Sequence, residues 1–230
     1  MGSIRQGPPE AIVLQLMQRY QVPTFVETGT FLGSTARWAS QHFQHVYTIE
    51  FAESIYQQAL AAHGQIKHIS FLYGHTREKL AEVVAQLATP AIFWLDAHWS
   101  AGATYGVNDE CPIADELAII LGAGQQHFIL IDDARLFLAP PPQPHQAAQW
   151  PDIAAIMGQL NAHGQRYTVV LEDVIISAPA VLQAELRAYF QSYTTGQLAQ
   201  AQPSSQPAGW LGRARQSYRL AARTLLARRK

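Results

Sequence analysis

Short apolar runs alternate with amphipathic stretches from Glu10 to Asp133, and the alternation predicts a fold before any single residue is considered. TFVE, HVYTIE, ISFLY, AIFWLD and HFILIDD are strand-sized, continuous in their apolar character, and read as five buried parallel strands. An amphipathic helix at about 10–21 precedes them, and helical stretches at about 34–41, 53–62, 76–86 and 112–120 lie between them. Crossovers of that length imply a doubly wound, mostly parallel sheet with helices on both faces. Beyond a proline-rich loop at 139–144 the pattern changes. A helix at about 152–163 leads to YTVVL, the turn Glu172-Asp173 and VIIS. Two strands that close form an antiparallel hairpin at a sheet edge, which completes a seven-stranded α/β sheet. A last helix at about 179–193 runs into GQLAQAQPSSQPAG, whose composition is that of a flexible linker. The final stretch places Leu211, Ala214, Tyr218, Ala221, Ala222 and Leu225 on one helical face. The expected plan is an α/β domain at 1–195, a linker at 196–209 and a basic amphipathic helix at 210–230.

Composition narrows this plan without changing it. With 48% hydrophobic and 14% charged residues the 230-residue chain is globular rather than disordered. A single cysteine, Cys111, excludes an internal disulfide, and the opening MGSIRQGPPE lacks the apolar core of a secretory signal, so a cytoplasmic protein is expected. The net charge of −1 is split unevenly: all 17 acids lie at or before Glu185, whereas seven basic residues crowd 213–230. An acidic body is a poor general ligand for nucleic acid, and none is expected as a partner. A basic amphipathic tail suits peripheral contact with an anionic membrane, and equally a solvated or partner-docking helix. Nothing in the chain fixes its oligomeric state.

In open parallel sheets ligands bind beyond the carboxyl ends of the strands, so the residue closing each strand carries the chemistry. The first strand closes VETGTFLGST, which supplies Glu27, Gly29, Thr30 and Gly33, then Ser34 at a helix start. Glycines there admit a ligand to the backbone. The turn has GxxxG behind a carboxylate rather than the dinucleotide GxGxxG, and Glu27 would repel a pyrophosphate while attracting an ammonium or sulfonium. The second strand closes at Glu50, 23 residues on, where a carboxylate can accept hydrogen bonds from both hydroxyls of a ribose.

These residues resemble the class I S-adenosylmethionine-dependent methyltransferases, and the resemblance covers about 24–177. It implies that VETGTFLG and Glu50 hold the cofactor, and that Gly74, His75 and Thr76 flank its adenine. His75 stands where many relatives carry an acid. The terminal hairpin agrees with the single reversed strand of that family's sheet. The fourth and fifth strands close LDAH and IDD, so Asp96, Asp132 and Asp133 fall at neighbouring strand ends. That pattern resembles the Mg²⁺ site of catechol-type and macrolide-sugar O-methyltransferases, and implies a metal held by the three acids. The chemistry implied is displacement at a sulfonium methyl by a hydroxyl of a sugar or other small polyol, with Asp96 or His98 as general base. The loop from His98 to Asn108 would close over the substrate, offering Trp99 and Tyr105 to a ring.

Plainer readings of the same residues stand beside these. Asp132 and Asp133 can cap the segment that follows and pair with Arg135, and His75 and Thr76 can cap the third helix, Thr76 as its N-cap. His98 can be a loop histidine without chemistry. The competing functions are a nicotinamide-dependent oxidoreductase and a non-catalytic methyltransferase-like module docked to a membrane or partner. The histidines show no zinc spacing.

Overall fold

The apolar runs at 24–28, 91–95 and 128–131 become strands buried throughout, whereas the run at 69–73, expected to be buried as well, lies at the sheet edge with only Ile69 buried. Residues 7–99, 109–124 and 126–201 are described by the structure, a computed structural model. In chain order the elements are α1 (Glu10–Tyr20), β1 (Thr24–Thr28), α2 (Ser34–Ala39), β2 (His45–Glu50), α3 (Glu53–His63), β3 (Ile69–Tyr73) and α4 (Thr76–Gln86). They continue with β4 (Ala91–Leu95), α5 (Ile113–Gly122), β5 (Phe128–Ile131), α6 (Arg135–Leu138), α7 (Ile153–Leu160), β6 (Arg166–Leu171), β7 (Val174–Pro179) and α8 (Gln183–Ala201).

The strands form one seven-stranded sheet in the order β3-β2-β1-β4-β5-β7-β6. Pairing is parallel from β3 through β5 and antiparallel on both sides of β7, which is therefore the reversed strand. Side chains alternate between two layers. Val26, Phe93, Leu95, Ile129 and Ile131 pack with Leu80 and Val83 of α4, Leu117 and Ile120 of α5, and Ile156 of α7. On the opposite face Phe25 meets Trp38 of α2 edge to face, and Tyr20 of α1 stacks on Phe128. The strand order reverses between β1 and β4, where the helices leaving the two strands part and open a crevice at the carboxyl ends.

The chain divides into two compact units, Met1–Gln183 and Ala184–Lys230. The first holds the sheet. Within the second, α8 runs to Ala201, six residues into the stretch expected to be linker, and Thr194 and Thr195 return their hydroxyls to the carbonyls of Phe190 and Gln191. Residues 202–230, where the basic amphipathic helix is expected, lie outside the described residues, as does most of the loop after Trp99, Tyr105 included. Among the described residues no helix is long and apolar enough to cross a membrane.

Candidate active site at the strand ends

A cavity of about 600 Å³ opens over the carboxyl ends of β2, β1, β4 and β5. Its lining includes Glu27, Gly29, Thr30, Ser34, Glu50 and Thr76, and on the far side Asp96, Ala97, His98 and Asp132. Glu27 and Glu50, from adjacent strands, thus share one open space, and the described lining contains no lysine or arginine.

The turn after β1 is built around Gly29. Its φ is 85°, and a Cβ there would lie 2.4 Å from the carbonyl oxygen of Asp96, so β1 and β4 approach closely only because a glycine stands between them. The Gly29 and Thr30 amides continue the sheet by donating to the carbonyl of Ile49. Glu27 is almost wholly buried, and Thr48 donates its hydroxyl to Oε2 at 2.6 Å. With that proton committed, Thr30 donates to Thr48 at 2.6 Å, giving a directed chain from the turn to the acid. Burial dominates nonetheless and pushes the Glu27 carboxyl up to about 8. Glu50 is also buried and shifted upward by burial, although Oε2 accepts the amide of Phe31 at 2.9 Å and Oε1 that of Ala52 at 2.8 Å. Phe31, at φ 47°, and Phe51 add an apolar wall that the alternation of the sequence did not indicate.

The far side is a chain of charge. His98 is buried, presents Nε2 to Oδ2 of Asp133 at 2.8 Å, and has Nδ1 at 3.7 Å from Oδ1 of Asp96. Arg135 donates Nη1 to Oδ1 of Asp133 at 2.5 Å and pairs with Asp173, whose Oδ1 also accepts the Arg135 amide. Burial lowers the affinity of His98 for a proton, but Asp133 and Asp96 outweigh it and hold its pKa above the ordinary 6.5. Asp133 is held below its ordinary value, burial being outweighed by His98 and Arg135. Asp96 rises to about 6 and Asp132 to about 8, each chiefly through burial, with neighbouring carboxylates adding to it.

Four sequence expectations change here, those for the metal set, His75, Thr76 and Gly33. Asp133 does not join Asp96 and Asp132 as a third free carboxylate; it is neutralised by Arg135 and His98, the pairing that Arg135, two residues on, made available. No group of three His, Cys, Asp or Glu side chains among the described residues is placed to hold a metal ion. The donor set does not fit Mg²⁺, because one of its three acids is already spent on a guanidinium. His75 is outside the cavity lining: its Nδ1 caps α4 by accepting the amide of Arg77, and its ring meets Phe51 edge to face. Thr76 is not the N-cap but the first helical residue, and it does line the cavity, whereas Gly33 shapes the turn from outside it.

Two buried acids were missed. Glu110 accepts Trp150 Nε1 at 2.8 Å and the Gln146 amide at 3.0 Å, which ties the proline-rich loop to the segment entering α5. Glu116 of α5, 1% exposed, is raised to about 7 by burial, partly opposed by the hydroxyls of Thr76 and Thr28 beneath the cavity. A glutamate inside a helical apolar stripe was the available signal for Glu116; Glu110, in a loop, gave none.

Sheet order, one reversed strand and a crevice at the switch point define the fold of the class I S-adenosylmethionine-dependent methyltransferases. No family model and no curated protein matches the sequence. Solved structures do match. An O-methyltransferase from Bacillus cereus in complex with S-adenosylhomocysteine superposes with a TM-score of 0.54 at 14% identity, covering 76% of this chain and 82% of that one. A protein from Staphylococcus aureus provisionally assigned as a caffeoyl-CoA O-methyltransferase gives 0.53 at 17% identity, covering 74% and 82%. An S-adenosylhomocysteine-bound methyltransferase from Podospora anserina gives 0.50 at 14%, covering 73% and 76%. At these identities the likeness is one of fold.

Proposed function

We propose that the chain is an S-adenosylmethionine-dependent O-methyltransferase acting on a hydroxyl of a sugar or other small polyol. The observation that carries this reading is the convergence of Glu27 and Glu50 on one open cavity whose described lining holds no basic side chain. Such a lining suits a cofactor bearing a sulfonium and an ammonium, and opposes the pyrophosphate of a nicotinamide dinucleotide. The donors fit. A carboxylate offers about four lone-pair sites, and Glu50, which accepts the Phe31 and Ala52 amides with the Phe51 amide also directed at it, keeps an acceptor for a ribose hydroxyl. An open rather than side-chain-filled crevice favours catalysis over a retained module.

S-adenosylmethionine, held by Glu27 and Glu50, would supply an electrophilic methyl group to the acceptor oxygen, the S–CH₃ electron pair passing to sulfur. The chain's own part is to orient and to take a proton. His98 donates Nε2–H to Asp133, which leaves Nδ1 as the lone pair able to receive the hydroxyl proton. Arg135, anchored by Asp173, holds Asp133 in place. No step is routed through a metal.

Titration calorimetry with S-adenosylhomocysteine and with NAD tests the cofactor; tighter binding of NAD overturns the reading. His98→Ala lowers turnover by about 10²-fold or more, the contribution of a positioned base, while S-adenosylhomocysteine affinity is kept. Turnover persists in EDTA; its abolition would restore the metal.

A further inference from the structure

The cavity spans four strands, roughly 14 Å at the usual inter-strand spacing, and its two halves have different unmet needs. Glu27 and Glu50 face the half that the methyltransferase reading gives to the cofactor. The other half carries Asp96 and Asp132, and no described residue supplies either with a lysine or arginine partner. Among the described residues, the arginines bordering the site are committed elsewhere: Arg135 to Asp133 and Asp173, Arg77 to Asp109 and Asp115. A second feature points the same way. His98, 8% exposed, lines this half: Nε2 is committed to Asp133, and Nδ1, 3.7 Å from the Asp96 carboxylate, makes no hydrogen bond of its own among the described residues.

Resting on the methyltransferase reading, we infer that the acceptor is cationic: an amino alcohol such as an aminosugar, whose ammonium is held by Asp132 and Asp96 while a neighbouring hydroxyl meets His98. Acids in an apolar crevice repel one another until an opposite charge arrives, and a substrate ammonium provides it with hydrogen bonds as well. Carboxylate, phosphate and coenzyme A thioester acceptors meet the same acids as repulsion.

Two series matched in size and differing in charge test this on the full chain: glucosamine, glucose and glucuronate, and ethanolamine, ethylene glycol and glycolate. Each is titrated by calorimetry into the S-adenosylhomocysteine complex in EDTA, and each is offered with S-adenosylmethionine for product detection. The amine of a series binds at least about 10-fold more tightly than its neutral counterpart, and the acid not at all. Asp132→Asn narrows the ratio to under about threefold, and Asp132→Glu, which keeps the charge, restores it. Equal binding of neutral or acidic members, a preference unchanged in Asp132→Asn, or no amine binding in either series overturns the inference. A preference that appears only with added Mg²⁺ overturns it too. Failure to bind S-adenosylhomocysteine sinks the methyltransferase reading itself; binding without amine preference sinks only the acceptor.

Discussion

Asp133 sits at φ 54°, a left-handed conformation that aspartate tolerates better than most residues, and that turn aims its carboxylate at His98 and Arg135 rather than toward Asp132. Sequence spacing gave three acids at two strand ends but could not give the direction of each side chain, which depends on one backbone torsion. The pH consequences follow from the signs. His98 has a raised pKa, so its stabilisation is complete below pH 6.5 and is lost as pH rises through its folded value. Asp133 has a lowered one, so its stabilisation is present above pH 3.8 and is lost as pH falls through its folded value. As a base His98 works deprotonated, and the acid limb of the turnover profile is therefore expected above pH 6.5. Asp133→Asn removes the charge that raises it and moves the limb down; a limb that stays put in a pH–rate series would exclude the pairing. Glu50→Ala should weaken S-adenosylhomocysteine by about 1–3 kcal/mol in calorimetry, since charge-assisted hydrogen bonds to ribose are lost along with those to Phe31 and Ala52.

At the scale of elements the sequence was most legible where one physical rule dominated. Continuous apolar runs marked β1 to β5 within a few residues, and the two-residue turn Glu172-Asp173, both at positive φ, marked the hairpin. What alternation could not show was how loops are tied to elements. The short α6 and the anchoring of the proline-rich loop by Glu110 depend on tertiary partners 36 to 40 residues away in sequence. Glu110→Ala leaves the Trp150 and Gln146 donors without their acceptor and is expected to cost at least about 1.5–3 kcal/mol in urea denaturation. The contact between β1 and β4 is a sharper case. Gly29→Ala forces a side chain into a left-handed turn, about 1–2 kcal/mol by itself, and against the Asp96 carbonyl. Gly33→Ala carries the same left-handed strain, at φ 79°, but its closest neighbour is the side chain of His63 at 2.9 Å, which can swing aside, rather than backbone. Both should therefore lose stability, Gly29→Ala more, and Gly29→Ala should also lose S-adenosylhomocysteine binding; equal effects would mean that the close approach is not what the turn needs.

For the sheet-bearing unit as a whole, the cavity gathers acids that the fold alone leaves only partly ionised. Burial raises Glu27 and Asp132 to about 8 and Asp96 to about 6, so Glu27 and Asp132 favour the protonated form at neutral pH. For Glu27 the folded value exceeds its ordinary 4.5, and its contribution to stability is complete below pH 4.5 and disappears as pH rises through about 8. A cation entering the cavity reverses the preference, because opposite charge favours the ionised carboxylate. Binding of S-adenosylmethionine at pH 7 should then release protons, up to about one from Glu27 and more when neighbouring acids respond. Calorimetry in phosphate and in Tris, whose ionisation enthalpies differ, reads that number directly from the difference in apparent binding enthalpy. Glu27→Gln should reduce the release and flatten the pH dependence of affinity between 6 and 8. Proton uptake, or identical enthalpies in both buffers, would mean that Glu27 is not the group answering the cofactor's charge.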